Sequence, residues 1–159
     1  MGFKQKFFKK YLKTINYWPP FVGAGIKVKE INEDRTKFII SLRLTNRNRN
    51  LFGTQFGGSL YSMTDPFFVF ILVLNLGEDY IVWDKSASID FLKPGKQKVY
   101  AEISISKERI AEIKTEVDSI GKATYTFDTQ ITDKDQNVIA KVSKEVYIRK
   151  KKFERKNEP

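Results

Sequence analysis

No stretch limits the possible folds more than PFFVFILVLNL, the 11 residues from Pro66 to Leu76. An uncharged run this apolar needs cover on every side. A membrane would supply it, but a span takes ~20 apolar residues. Extension toward the N-terminus meets Asp65, Thr64, Ser62 and the pair Gly57–Gly58. The run is therefore read as a helix buried in protein, with no transmembrane span. That helix is expected to open at Gly57 and Gly58, reach about Leu76 and stop at Gly77. Pro66 lies inside it, removes one backbone hydrogen bond and is expected to bend it near Asp65.

The rest of the chain reads as the wrapping. GIKVKEI and RTKFIISLRL are strands around a polar turn, and four more follow Gly77. KSASIDFL alternates at Ala87, Ile89 and Phe91, and KVYAEISIS at Val99, Ala101, Ile103 and Ile105. KATYTFDTQIT alternates at Ala123, Tyr125, Phe127 and Ile131, and NVIAKVSKEVYI at Val138, Ala140, Val142, Val146 and Ile148. Period-two patterns of this kind belong to antiparallel sheets with one covered face. Between the second and third of these lies a helix, with Ser106 as its N-terminal cap and Gly121 as its stop. TDKDQN is a hairpin turn. At the N-terminus, Phe3, Phe7, Tyr11, Leu12 and Ile15 give residues 2–16 a helical apolar stripe, ended by Trp18–Pro20. That stripe is read as packing on its own domain rather than on lipid. The expected fold is α+β: a curved, six-stranded antiparallel sheet around a long central helix, plus an N-terminal helix. It forms one domain over 1–148, followed by a basic tail over 149–159.

Composition removes several chemistries. The 159 residues contain no cysteine and no histidine. Disulfides, thiol catalysis, serine–histidine triads and histidine metal sites are therefore excluded within this chain. Its net charge of +10 suits anionic ligands without choosing among them. No helix-turn-helix, zinc finger or aromatic RNA-binding signature is present, so no nucleic-acid partner is expected. Lysines interrupt the N-terminal apolar residues, which is unlike a signal peptide. With the lack of cysteine, this gives a cytoplasmic reading.

A family resemblance rests on particular residues. NLFGTQFGGSLYSMTD is similar to the acyl-CoA thioesterase signature of the hotdog superfamily, which has an asparagine, a histidine–glycine–glycine, and an aspartate eight residues after the first glycine. Asn50, Gly57, Gly58 and Asp65 match, while Phe56 stands at the histidine position. PFVGAGIKVKEI, TNRN, FGGSLYSMTDP, LGEDYIVWDKSASIDFLKPG and TDKDQNVIAKV resemble an uncharacterised, thioesterase-like hotdog family from about Pro20 to Tyr147. The resemblance implies a hotdog fold and subunits paired into dimers, or into tetramers built from them, with shared sites.

The chemistry follows from the residue types. Glycines at a helix start let a carbonyl approach free N–H groups that stabilise an oxyanion. Gly57 and Gly58 fit that role, and Asp65 fits a general base toward water or a nucleophile. Asn50 joins them through the family pattern, and Phe56, Tyr61 and Thr64 are read as substrate-binding. Eight helical residues rise roughly 12 Å, so Asp65 and Gly57 of one chain cannot flank one carbonyl. Two antiparallel helices in a homodimer can. The expected activity is hydrolysis of an acyl-CoA, with no cofactor beyond the coenzyme A of the substrate and no metal. Without the histidine, a non-catalytic acyl-CoA or fatty-acyl binding protein is the second reading. A hotdog dehydratase would need a histidine of its own and is set aside. Trp83 and Asp84 are read as structural. Asn46, Asn48, Thr54 and Gln55 are nearby polar residues without an assigned role.

Overall fold

The computed structural model describes residues 3–152, and for residues 3–7 and 9 the backbone alone. The basic tail beyond 152 lies outside the described residues. Helix α1 (Phe3–Thr14) lies within the expected 2–16 helix, and a 3-10 turn (Ile15–Tyr17) follows it and ends one residue beyond that span. Trp18 is extended, as a residue before proline tends to be. The two prolines then start a further helix, α2 (Pro19–Ala24), rather than a loop, because proline suits the first helical turn, where its N–H is not needed. Gly25 ends α2 at φ 82°, a conformation that strains any residue with a Cβ.

Strands β1 (Ile26–Ile31) and β2 (Lys37–Leu42) form a hairpin. Helices α3 (Gly57–Ser62) and α4 (Phe67–Leu76) follow where one bent helix was expected. Pro66 breaks the helix rather than bending it. The turn across Met63–Pro66 tightens to an i→i−3 bond, from the Thr64 N–H to the Tyr61 carbonyl at 2.9 Å. Then come β3 (Tyr80–Phe91), β4 (Val99–Ser104), α5 (Lys107–Ile120), β5 (Lys122–Asp133) and β6 (Val138–Lys150). Ser106 caps α5 by accepting from the Arg109 N–H at 3.1 Å, and Gly121 closes it. Asp133 holds the β5–β6 hairpin, its Oδ1 accepting from the N–H groups of Asp135 and Asn137.

The sheet is six-stranded in the order β1-β2-β4-β5-β6-β3, and every neighbouring pair is antiparallel. It curves around α4, which is apolar nearly all round and is covered on more than one side. Phe68 stacks on Phe127 of β5 with ring centroids 5.2 Å apart. Phe67 meets Phe21 of α2 and Phe38 of β2. On the far side Phe70 takes the edges of Phe8 and Tyr11 from α1. The N-terminal helix thus packs on its own domain. The stretch Gly57–Leu76 is long and apolar enough to cross a membrane by composition, yet over half of its most apolar window, 56%, is buried inside the fold.

The two edges of the sheet differ. At the β1 edge the Asn16 side chain pairs with both backbone groups of Val28, and a bulge follows. The outer edge of β3 has no partner strand among the described residues. Its inward alternation at Ala87, Ile89 and Phe91 was expected to be covered, but Ala87 and Phe91 are exposed. As the outermost strand, β3 has sheet on one side only, and α3 beside it is a helix of just six residues. One prediction follows for the core. Phe68→Ala removes a ring buried between helix and sheet and is expected to lower stability by about 3–5 kcal/mol, read by chemical denaturation.

Candidate functional site

Asp65 lies in the turn between α3 and α4, its side chain 45% exposed. Its Oδ1 accepts from the Tyr61 hydroxyl at 2.8 Å and from the Lys144 ammonium at 2.7 Å. Among the described residues, nothing donates to Oδ2. Tyr61 lies in the last turn of α3 and Asp65 four residues on, in the turn that follows, which brings the two side chains together. Burial raises the Tyr61 phenol above its ordinary value, and the hydrogen bond to Asp65 and the charges of Asp65 and Asp84 raise it further. Tyr61 therefore remains a proton donor to Asp65 across the physiological range.

Lys144 went unrecognised in the sequence, although a signal was there. Along β6 the inward positions run Ala140, Val142, Val146 and Ile148, and position 144 falls in the same register. Its side chain is only 1% exposed. Besides Asp65 Oδ1, the ammonium donates to the Asp65 carbonyl and to Asp84 Oδ2, the last at 2.9 Å. Asp84 comes from β3, inward like Tyr80 and Val82, just before a bulge at Lys85. Asp84, read as structural from sequence, thus shares its cation with Asp65. Burial is the main cause raising the Asp84 carboxyl above the usual aspartate value. The Lys144 hydrogen bond and charge pull it down, and Asp65 pushes it up.

The glycine pair lies about two turns before Asp65. Phe56, extended, precedes α3, and its carbonyl accepts from the N–H groups of Ser59 and Leu60 at 3.0 and 3.1 Å. The N–H groups of Gly57 and Gly58 make no hydrogen bond among the described residues, as expected at a helix start. Two rings lie over the pair. A Cβ on Gly57 would meet Phe91 Cζ at 3.0 Å, and one on Gly58 would meet Phe56 Cε1 at 2.6 Å. Both rings are more than half exposed, at 56% and 55%. Space over the glycines that sequence reasoning gave to a substrate is held here by the edges of two solvent-exposed aromatic rings.

A cavity of 270 Å³ opens beside this point, lined by Asn50, Gln55, Gly57, Leu60, Phe91 and Lys93 among others. Asp65 is not among its lining residues. The Asn50 side chain is committed to its own loop. It donates to Thr54 Oγ1 and the Gln55 carbonyl and accepts from the N–H groups of Phe52 and Thr54. Thr64 is buried, and its hydroxyl donates to the Tyr61 carbonyl. Asn48 bridges the carbonyls of Ala24 and Arg43, which ties its loop to the sheet. The structure therefore gathers Tyr61 and Asp65 with two residues from the sheet. It keeps Asn50 and Gly57 in a second group at the cavity, with Phe56 and Gly58 next to Gly57 in the chain but outside the lining. Among the described residues no group of three or more metal-ligating side chains clusters closely enough to hold a metal ion.

Comparison with known proteins sets this geometry in a family. A family model described as a domain of unknown function, DUF4442, matches residues 5–148. No curated protein matches the chain. Among solved structures, a Pseudomonas aeruginosa protein of unknown function, described as a probable thioesterase, is 20% identical. The alignment covers 89% of this chain and 95% of that one, with a TM-score of 0.77. A Haemophilus influenzae thioesterase is 14% identical over 91% of this chain and 92% of its own, at 0.65. The PaaI protein of the Escherichia coli phenylacetic acid degradation operon is 16% identical over 88% and 91%, at 0.59. At these identities the likeness establishes the fold, a hotdog domain. One expectation concerns the carboxyl cluster. Followed by carbon-13 NMR, Asp84 is expected to titrate above the ordinary aspartate value of about 3.9. A carboxyl that binds its proton more tightly when folded contributes less to stability as pH rises between its unfolded and folded values.

Proposed function

Because the chain belongs to the DUF4442 family and shares the fold of proteins described as thioesterases, we propose that it hydrolyses an acyl-CoA thioester with Asp65. One observation carries this reading. Asp65 is a half-exposed carboxylate with Oδ1 held by Tyr61 and Lys144 and Oδ2 left free, next to the most apolar helix of the chain. A carboxylate so oriented takes a proton from water as the water oxygen adds to the thioester carbon, or adds to that carbon itself. Collapse of the tetrahedral adduct breaks the C–S bond. The thiolate leaves and takes up a proton; the acyl group departs directly as a carboxylic acid where water has added, and where Asp65 has added it departs after water cleaves the anhydride formed on Asp65.

The oxyanion of that adduct needs donors. The unbonded N–H groups of Gly57 and Gly58 suit it, in a second copy of the chain. Within one chain, Gly57 and Asp65 are separated by eight residues of helix and turn, about 12 Å at helical rise. The bare outer edge of β3, with exposed Trp83 and Phe91 along it, offers a place for that copy to pair. The homodimer, or a tetramer made of two, is thus part of the proposal, as is a soluble, cytoplasmic protein. Lys93 at the cavity beside Gly57 gives a cation suited to a phosphate of coenzyme A. A single mass corresponding to monomer at micromolar concentration would remove the shared site.

A specific feature favours a second reading. Phe56, at the position of the family histidine, and Phe91 cover the glycine pair with rings rather than polar groups. A protein that binds acyl-CoA or a fatty acyl chain without cleaving it fits such a pocket. Asp65→Asn separates the two. As a thioesterase, the variant is expected to fold and assemble normally, keep its acyl-CoA affinity and lose roughly 10²–10⁴-fold in rate. Mixed with Gly57→Pro it is expected to regain activity, since each mixed dimer holds one intact Asp65–Gly57 pair. An unchanged rate in Asp65→Asn, or no hydrolysis by the wild-type chain across a panel of acyl-CoAs it binds, would favour the binding protein.

A further inference from the structure

Lys144 is among the largest side chains that the fold buries completely, and the chemistry above gives it no step. A lysine this buried is rare unless paired. An ammonium has three N–H donors, and here three oxygens take them: the Asp65 carbonyl, Asp65 Oδ1 and Asp84 Oδ2. No donor is left for a ligand, so Lys144 neither binds substrate nor gives up a proton without breaking this set. Two of its three bonds go to a single residue, one to the main chain and one to the side chain. Such a grip fixes the Asp65 carboxylate against rotation. It also satisfies a carbonyl in the turn where Pro66 has broken the helix. Tyr61 closes the arrangement, its hydroxyl on the same Oδ1 and its ring 5.6 Å from Nζ.

We propose that Lys144 is a positioning residue for Asp65, which it holds by its carbonyl and Oδ1 so that Oδ2 faces the substrate. Asp84 balances the ammonium from β3. The proposal rests on the reading of Asp65 as the group that acts on the thioester. Three elements meet at the cluster: the α3–α4 turn, β6 and β3. Any shift of β3 against β6 is thereby transmitted to the carboxylate. Orientation is where the effect is expected, because a displacement of about 1 Å in a reacting group costs on the order of 10²-fold in rate.

The lack of cysteine permits a direct test. Lys144→Cys introduces a sole thiol, which is alkylated in the unfolded chain before refolding. The thiolate displaces bromide from 2-bromoethylamine, and the product is a side chain of lysine length that ends in an ammonium. With 1-bromopropane the product has the same length and no charge. Wild-type protein is taken through the same cycle. The aminoethyl form is expected to recover most of the wild-type kcat. The propyl form is expected to fold, by circular dichroism, with KM unchanged and kcat lower by roughly 10²-fold. Equal kcat in the two forms would mean that Lys144 only fills space, and would overturn the inference while an inactive Asp65→Asn still upheld the thioesterase.

A second readout needs no activity. The Asp84 carboxyl is expected to titrate higher in the propyl form, since a cation within hydrogen-bond distance that lowers it has been removed. No difference would show that the ammonium does not engage the acids in solution, and would end the proposal whatever the rates. Full activity in Asp65→Asn would instead remove the thioesterase reading and the role of Lys144 with it. If alkylated chains do not refold, Lys144→Met made directly gives the same comparison. A fall in kcat at constant KM supports positioning, and an unchanged kcat refutes it.

Discussion

Burial of α4 is the constraint from which the rest of the structure follows. Every residue from Phe67 to Leu74 is apolar, so no face of that helix is suited to water. The sheet covers one side through Phe38 and Phe127, α2 another through Phe21, and α1 the far side through Phe8 and Tyr11. Removing a large ring from such a core costs about 3–5 kcal/mol, a large share of the ~5–15 kcal/mol that holds a domain together. The N-terminal helix, which sequence alone leaves open to a role on membranes, is part of this wrapping. Its described aromatic residues are spent on Phe70.

Against that apolar background the charge on Lys144 stands out. An isolated ammonium in such a place is strongly unfavourable, and breaking a fully buried ion pair costs about 3–5 kcal/mol. Asp65 and Asp84 are 45% and 32% exposed, so water screens the acid side and the loss here lies below that range. A methionine of similar length would fill the same space without a charge to compensate. Retention of a lysine at an inward position of β6 is therefore hard to account for by packing. It is accounted for by orientation of a carboxylate at the one point where the central helix is broken.

The break itself joins fold to chemistry. Within an unbroken helix the carbonyl of Asp65 would be taken by the helix's own ladder. Asp65 stands in the turn before α4, where among the described residues no backbone N–H takes its carbonyl, and Lys144 does. The same turn places Asp65 beyond the last helical residue of α3, half in solvent, while α4 continues into the core. Asp65 thus sits between water and the most apolar helix, a position that suits the role proposed for it. The rings of Phe56 and Phe91 lie over the glycine pair on the other side, and both residues are more than half exposed.

From sequence alone, most of the elements were legible, and most of their buried faces. Alternation placed the strands, the spacing of apolar residues placed the helices, and Ser106 and Gly121 act where local backbone sterics require them. These signals are short-range, because period, caps and turns depend on neighbours a few residues apart. Pro66 was legible as a disturbance but not as a full break, since its severity depends on what takes up the Asp65 carbonyl. The helix at Pro19–Ala24 was masked by its prolines, which read equally as a stop. The Tyr61–Asp65 pair follows from a spacing of four residues. The pairing of Asp65 with Lys144, 79 residues away, and the arrival of Asp84 from β3 do not. Strand order and the bulge at Lys85 decide which side chains face inward together. Those depend on how the whole sheet closes around α4, a long-range outcome that no local pattern encodes.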